Sequence, residues 1–484
     1  VSDRERSIAV VGGGFGGVGA ATMLRRAGYE DVTVFEKGER VGGVWQHNTY
    51  PGAACDIPSH LYEYSFAPNG WSRRFSPGAE IRAYVEAVAR RFGVLDRVRT
   101  GVEVKGAHWD EEAARWRLET SAGPHEAEIL VTACGQLSVP KAPPIAGLES
   151  FQGPAFHTAE WRHDVELADK RVAVIGTGCS AIQVVPAIQP QVAKLDVYQR
   201  SPGWTFPKRD YEYTARQRAL FKRFPLLRRL DRASIYAFND LGAAAMTSQR
   251  WLLPVLRAIA KRQIDAAISD PELRRKVTPG DEIGCKRIML TDEWYPTLCL
   301  PNVELVTERI DAVTATGIRD AAGEERPADA IVLATGFASH DFVAPMEIAG
   351  RDGRTLAERW DEVPRAYLGL TVPGFPNMFL LYGPNTNGGT GSVVNTIECG
   401  VGHLLAALRE MEESGATWIE VRDEAAERFD GELRAALAKT VWHSGCSNWY
   451  VDEKGNDPSN WPWTWSAYRR RTARLAPGAY ALSR

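Results

Sequence analysis

Three sets of residues in this chain have the types and spacing to do chemistry. The first is Val11-Gly12-Gly13-Gly14-Phe15-Gly16-Gly17, which follows the apolar run Ile8-Ala9-Val10-Val11 and precedes the acid Glu36, 19 residues after Gly17. The second is Ile175-Gly176-Thr177-Gly178-Cys179-Ser180-Ala181, with Arg200 standing 19 residues after Ala181. In such a run the first glycine makes a tight turn, the second lets the backbone approach a pyrophosphate, and the third lets helix and strand pack closely. The pyrophosphate is held where helix amides point at it. A carboxylate at the place of Glu36 accepts hydrogen bonds from free ribose hydroxyls, whereas a guanidinium at the place of Arg200 suits a 2′-phosphate. The third set is scattered: Asp56 among small and apolar neighbours, and the adjacent cations of Gly284-Cys285-Lys286-Arg287. Cations beside a glycine suit a phosphate or a developing oxyanion, and spacing alone does not separate that from surface charge. Taken alone, Asp56 reads as a turn cap.

Each glycine run needs a strand before it and a helix after it, and the sequence provides both. Residues 8–11 and 32–36 read as strands around a helix at 20–26, and residues 171–175 and 195–200 as strands around a helix ending near 188. Two such units of opposite terminal charge predict two dinucleotides in one chain. FAD is expected at Gly12, Gly14, Phe15, Gly17 and Glu36. NADPH rather than NADH is expected at Gly176, Gly178, Cys179, Ser180, Ala181, Arg200 and Ser201. The fold class is therefore α/β, with two Rossmann-like dinucleotide-binding domains and a helical insertion in the NADPH domain.

The boundaries read as 1–140 for the first part of the FAD-binding domain and 141–210 for the first part of the NADPH-binding domain. The helical insertion follows at 211–278 and the second NADPH-binding part at 279–328. Residues 329–484 complete the FAD-binding domain and carry an aromatic tail. Within the insertion, the basic and apolar stretch 222–229 reads as a charged solvated face rather than a membrane contact. The tail aromatics Trp442, Tyr450, Trp461, Trp463, Trp465 and Tyr468 read as packing, and Trp449 alone is assigned to a site.

Composition narrows the partners. The 484 residues correspond to roughly three domains or lobes. Hydrophobic residues at 44% and charged residues at 25% leave ample core. A net charge of -3 makes no electrostatic case for nucleic acid or an anionic membrane. The seven cysteines include no C-x-x-C pair, which argues against a redox dithiol and a zinc ribbon. The thiols fit a reducing compartment, and no metal site is expected. There is no apolar run of about 18 residues and no basic-then-apolar leader, so neither a membrane span nor export is expected and the location reads as cytoplasmic. Oligomeric state is not legible.

Two longer patterns go further. Phe151, Gly153, His157 and Trp161 satisfy F-x-G-x-x-x-H-x-x-x-W, and Gly42 to Asp56 satisfies G-G-x-W-x-x-x-x-Y-P-G-x-x-x-D in full. With these the chain resembles, nearly end to end, the class B flavoprotein monooxygenases, and within them the type I Baeyer–Villiger monooxygenase family. It departs at Arg162, where the family usually has Pro or Asp. It departs again at Gly388-Gly389-Thr390, where the turn Gly383-Pro384-Asn385-Thr386-Asn387 often continues with Leu, Gly and His.

The resemblance implies an FAD-dependent, NADPH- and O2-consuming conversion of ketones to esters or lactones through a flavin C4a-peroxide. The implied partners are a small apolar ketone and dioxygen. Arg287 corresponds to the arginine that stabilises the peroxide, and Asp56 to the acid that holds it. Lys286 and Arg200 correspond to the grip on the 2′-phosphate. Val44, Trp45, Asp56, Tyr62, Val104 and Asn385 are implied FAD contacts, Arg287 and Trp449 implied NADP contacts, and His157 a coupling residue between lobes. The same flavin chemistry would serve oxygenation of sulfur or nitrogen in small substrates, which is the alternative reading.

Overall fold

Two five-stranded parallel sheets carry the two glycine turns in the computed structural model, which describes residues 5–483. The first strand, β1 (Ile8–Val11), is apolar and buried along its whole length, as a strand covered on both faces must be. The glycine turn leads into α1 (Phe15–Arg26), whose last turn carries Arg25 and Arg26, cations that suit a helix C-terminus. β2 (Val32–Glu36), β3 (Val98–Thr100) and β4 (Ile129–Thr132) extend this sheet. The chain then crosses to β5 (Ala155–His157), β6 (Arg171–Ile175), α2 (Ala181–Ile188), β7 (Lys194–Tyr198), β8 (Val303–Val306) and β9 (Ala330–Leu333). It returns to the first sheet with β10 (Met378–Leu380).

The strand orders are β10-β4-β1-β2-β3 and β8-β7-β6-β9-β5. β1 and β6 are thus the middle strands, and each ends in its glycine turn. That is the crevice in which open α/β sheets bind ligands. The expected α/β architecture with two dinucleotide-binding sheets is what the chain adopts. One boundary differs. The sequence reading reopens the FAD-binding domain at 329, yet β9 pairs with β6, Ala330 opposite Val172 and Leu333 opposite Ile175. β9 is buried and apolar throughout, so its sequence carries no alternation that would assign it to one sheet rather than the other.

Between β7 and β8 stand the helices of the insertion: α3 (Ala215–Arg223), α4 (Pro225–Thr247), α5 (Leu253–Ala267) and α6 (Pro271–Val277). Thr214 and Gln217 form a reciprocal capping box on α3, and proline opens α4 and α6 at a position where the missing N–H is harmless. α4 is clamped from inside. Arg232 Nη1 donates to the carbonyls of His60 and Glu63, each at 2.9 Å. Asp240 accepts from the Ser466 hydroxyl at 2.7 Å. A long helix, α7 (Val393–Ser414), packs against α1 and completes the core of the first half.

Candidate active site between the two glycine turns

The first glycine turn is enclosed. A Cβ on Gly12, which has φ +108°, would lie 2.5 Å from the Ala133 carbonyl oxygen; on Gly17 it would lie 1.8 Å from the Gly12 oxygen, and on Gly14 3.3 Å from Gly43 Cα. No side chain therefore fills the cradle, and the 42–56 segment closes over it. Glu36 is buried and accepts from the Gly13 and Gly38 amides, both at 2.7 Å. Gly14 caps α1 without a side-chain bond, so the first amides of α1 remain for an anion. This arrangement fits the pyrophosphate and ribose of FAD.

Around this cradle the Trp45 indole donates to Tyr62 at 3.1 Å, and Phe15 meets the Tyr62 ring edge-on at 5.1 Å. Val44 opens the short helix Val44–His47 that carries Trp45. Val104 lies in a separate core layer with Ala9, Val11 and Phe35. The Asn385 amide nitrogen is committed to the carbonyls of Asp457 and Asn460, at 2.7 and 3.1 Å, so it pins the C-terminal segment. Gln136 was not singled out by the sequence. It is buried just beyond β4 with neither amide atom partnered, an orphan that a hydrogen-bonding cofactor would satisfy. The only signal was a lone amide after the Ala133-Cys134-Gly135 turn.

The second turn is open. A Cβ on Gly176 would meet the Ala334 oxygen at 2.4 Å, but one on Gly178 would meet nothing within 4 Å. Ser180 caps α2 without a side-chain bond, leaving amides for a phosphate, and the third position is already Ala181. Arg200 and Ser201 are exposed at the end of β7. The Lys286 ammonium donates to Ser201 Oγ at 3.1 Å and pairs with Asp281 at 2.6 Å. Cations beside a hydroxyl at an open helix N-terminus fit the phosphorylated ribose of NADPH.

Asp56 and Arg287 meet between the turns. Arg287 Nη2 and Nε donate to the same oxygen, Asp56 Oδ2, at 2.5 and 3.2 Å. About a quarter of each side chain remains exposed, 27% and 24%, so a ligand can reach the pair. Burial opposes the Asp56 charge, but the Arg287 guanidinium, helped by Lys208, outweighs it and holds the carboxyl below the usual carboxylate range. Asp56 in turn raises Arg287 well above its ordinary value against the effect of burial. The pair is ionised at any working pH.

Cys179, from the second turn, faces this guanidinium, yet burial pushes its thiol up and keeps it protonated. Burial likewise pushes the Tyr382 phenol up to about 12 although Arg287 opposes the shift. It also raises Tyr450, whose hydroxyl is buried without a partner. Both phenols are therefore proton donors, not bases, at neutral pH. Tyr382 holds a left-handed backbone, φ +61°, which the surrounding turn must enforce. Lys208 and Tyr382 were not identified as site residues from the sequence, and Tyr450, read there as packing, is set against Arg287. Tyr450 lies next to Trp449, which is 40% exposed with its ring 4.2 Å from that of Tyr450. Trp442, Trp461, Trp465 and Tyr468 are buried, so most of the aromatic tail is packing.

Cys285, beside Lys286, is disulfide-bonded to Cys446 across a separation of 161 residues. This corrects the expectation that the thiols stay reduced; the pairing is made by the fold and leaves no short spacing to read. The signature residues line the edge of the second sheet. His157 ends β5 opposite Leu333, accepts from the Ala159 amide at 3.1 Å, and is held neutral by burial. Phe156 meets Trp161 edge-on, and a Cβ on Gly153 would strike the Asp329 oxygen and the Phe151 ring. Gly388 and Gly391 are explained by Trp465, whose ring would lie 2.3 and 2.2 Å from a Cβ at those positions.

Known proteins share this organisation. A family model described as pyridine nucleotide-disulphide oxidoreductase matches residues 9–223. The chain is 44% identical over 480 residues to a protein named Baeyer-Villiger monooxygenase from Streptomyces coelicolor, covering 99% of this chain and 92% of that one. It superposes on the structure of an oxidized steroid monooxygenase bound to NADP with a TM-score of 0.88, at 33% identity and 99% coverage of both chains. It also superposes on the OTEMO complex with FAD and NADP, with a TM-score of 0.88, 26% identity and 99% coverage of both.

Proposed function

Because this chain belongs to the family of Baeyer–Villiger monooxygenases, we propose that the Arg287–Asp56 pair is the working centre of its reaction. The chain is an NADPH-dependent flavoprotein monooxygenase that converts ketones to esters or lactones. FAD, held by the Gly12–Gly17 turn and Glu36, would supply the redox and oxygen chemistry when bound, with NADPH as the source of electrons.

Arg287 supplies a fixed positive charge where negative charge develops on the carbonyl oxygen. One such preorganised donor contributes roughly 10²–10³ in rate. A guanidinium serves because it does not deprotonate. Asp56 orients it, since both N–H groups aim at one carboxylate oxygen. Tyr382 and Tyr450 keep their phenolic protons and can donate to the same developing charge. Arg200, Ser201 and Lys286 bind the 2′-phosphate, and Trp449 borders the nicotinamide side. Met246 lies beside Gly284, in the segment leading to Arg287, and beside Gly389; it forms an apolar wall that favours an apolar ketone. A supply of NADPH supports a cytoplasmic location for the reaction.

The observation that carries this reading is the pair of hydrogen bonds by which Arg287 meets Asp56, 231 residues away in sequence, between the two glycine turns. The test is Arg287→Ala, followed by anaerobic flavin reduction and by mass spectrometry of the aerobic product. Reduction by NADPH should persist and ester should be lost. Ester formation within about tenfold of the parent, well short of the loss expected for such a donor, would show that the charge lies elsewhere.

A further inference from the structure

The surface of the helical insertion is unlike the rest of the molecule. Fifteen large hydrophobic side chains are exposed among the described residues, and ten of them lie between Leu220 and Ile259. On α4, Leu227, Leu230, Phe238 and Leu241 recur at helical spacing and share one face. Phe238 is 72% exposed and Leu230 58%. Trp251, Val255 and Ile259 repeat every fourth residue at and within α5, with Trp251 70% exposed. Singly scattered apolar residues need no explanation, but a concentrated stripe marks an interaction site.

Charge is segregated with this stripe. Residues 215–263 hold eleven Lys and Arg against two acids, although the whole chain carries -3. Both acids are partnered within the fold: Asp231, with 38% of its side chain exposed, pairs with buried His60, and Asp240 accepts from Ser466. The cations of this stretch that find acids are Arg228, Arg232 and Arg257. Arg216, Arg218, Lys222, Arg223, Arg229 and Lys261 are exposed, with no ion pair among the described residues. The net charge hides this because acids elsewhere cancel it.

We propose that this face docks the enzyme on the surface of an anionic lipid bilayer. Large apolar side chains flanked by unpaired cations are the composition of a helix lying in a lipid interface. No helix is long and apolar enough to cross a membrane, so α4 and α5 lie on the bilayer rather than span it. A second copy is the poorer occupant, because a two-fold contact would press the same cations together. The opposite side of α4 meets the active-site region. The Asn239 carbonyl accepts from Thr390 at 2.9 Å, Asn239 Oδ1 accepts from the Gly391 amide at 3.0 Å, and Met246 adjoins Gly284 and Gly389. Docked this way, α4 has lipid on one side and the Gly284 and Gly389–Gly391 turns on the other, so an apolar substrate dissolved in the bilayer meets the enzyme on the face nearest the segment that leads to Arg287.

The test is co-sedimentation of the FAD-loaded enzyme with phosphatidylcholine vesicles, with and without phosphatidylglycerol, at low and high salt. Binding should require phosphatidylglycerol and fall with salt. The triple variant Lys222→Gln, Arg223→Gln, Arg229→Gln should bind about a hundredfold more weakly, at roughly fivefold per cation. The triple variant Leu230→Ser, Phe238→Ser, Trp251→Ser should also lose at least about tenfold. Both should turn over a small water-soluble ketone as the parent does. The proposal is overturned if the parent ignores anionic vesicles, or if both variants bind as the parent does. It is equally overturned if the lipid-free parent is a dimer that the apolar variant dissociates, which would make a second copy the occupant.

Discussion

The two glycine turns are built alike and differ in enclosure. At the first, added side-chain atoms would strike Ala133, Gly12 and Gly43, and Glu36 is buried beneath; at the second, Gly178 faces open space and Arg200 is exposed. The third glycine marks the same contrast. Gly17 admits no Cβ, whereas its counterpart is Ala181, buried without strain on α2. A closed cradle suits a cofactor that stays through the catalytic cycle, and an open one suits a cofactor that enters, reacts and leaves. In the proposed reading, the charge at the strand end goes with the identity of the dinucleotide and the enclosure with how firmly it is held.

This comparison can be broken first at the junction. Arg287→Ala should cut ester formation by about a thousandfold, the upper range for one electrostatic donor, while leaving NADPH-driven reduction in stopped-flow traces. Next is the closed turn. Gly17→Ala should destabilise the fold by about 3 kcal/mol through overpacking and empty the flavin site, read as lost flavin absorbance after gel filtration. Ala181→Gly at the open turn should cost no more than about 1 kcal/mol.

Then comes the charge. Arg200→Ala should raise KM for NADPH about thirtyfold, the loss of one charge-assisted contact, and leave KM for NADH unchanged; equal loss for both would remove Arg200 from the phosphate site. A weaker effect than that of Arg200 lies outside both turns. His403 is buried between the Thr472 carbonyl and the Tyr480 hydroxyl, and burial lowers its pKa to about 4. The unfolded chain takes up this proton near the ordinary histidine value while the folded chain refuses it. Stability is therefore full above about pH 6.5 and falls as pH drops toward 4, by about 1–2 kcal/mol between pH 7 and 5. Urea melts of the parent and His403→Gln at both pH values measure it, and the variant should show the smaller change.

Much of the fold was legible. The strands read at 8–11, 32–36 and 171–175 are Ile8–Val11, Val32–Glu36 and Arg171–Ile175, and the helix read as ending near 188 ends at Ile188. The site was legible in part. Lys286 and Arg287 were separable from ordinary surface charge only by family likeness, and Lys208, Tyr382 and Tyr450 gave no local signal. The stretch 222–229 was read as a solvated face because its cations are plain in the sequence. That its leucines are left uncovered is a fact of how α4 seats on His60, Glu63 and Ser466.

The division follows sequence distance. A strand, a glycine turn, a helix and the next strand end are contiguous, so their glycines, their apolar period and the opposite charges at Glu36 and Arg200 determined two dinucleotide sites without any long-range contact. The Asp56–Arg287 pair joins residues 231 positions apart, and Cys285–Cys446 spans 161. The choice of sheet for β9 and the exposed face of α4 likewise depend on which distant segments pack together. Tertiary structure alone decided those, because only close packing of separate segments brings such groups within hydrogen-bonding or bonding distance.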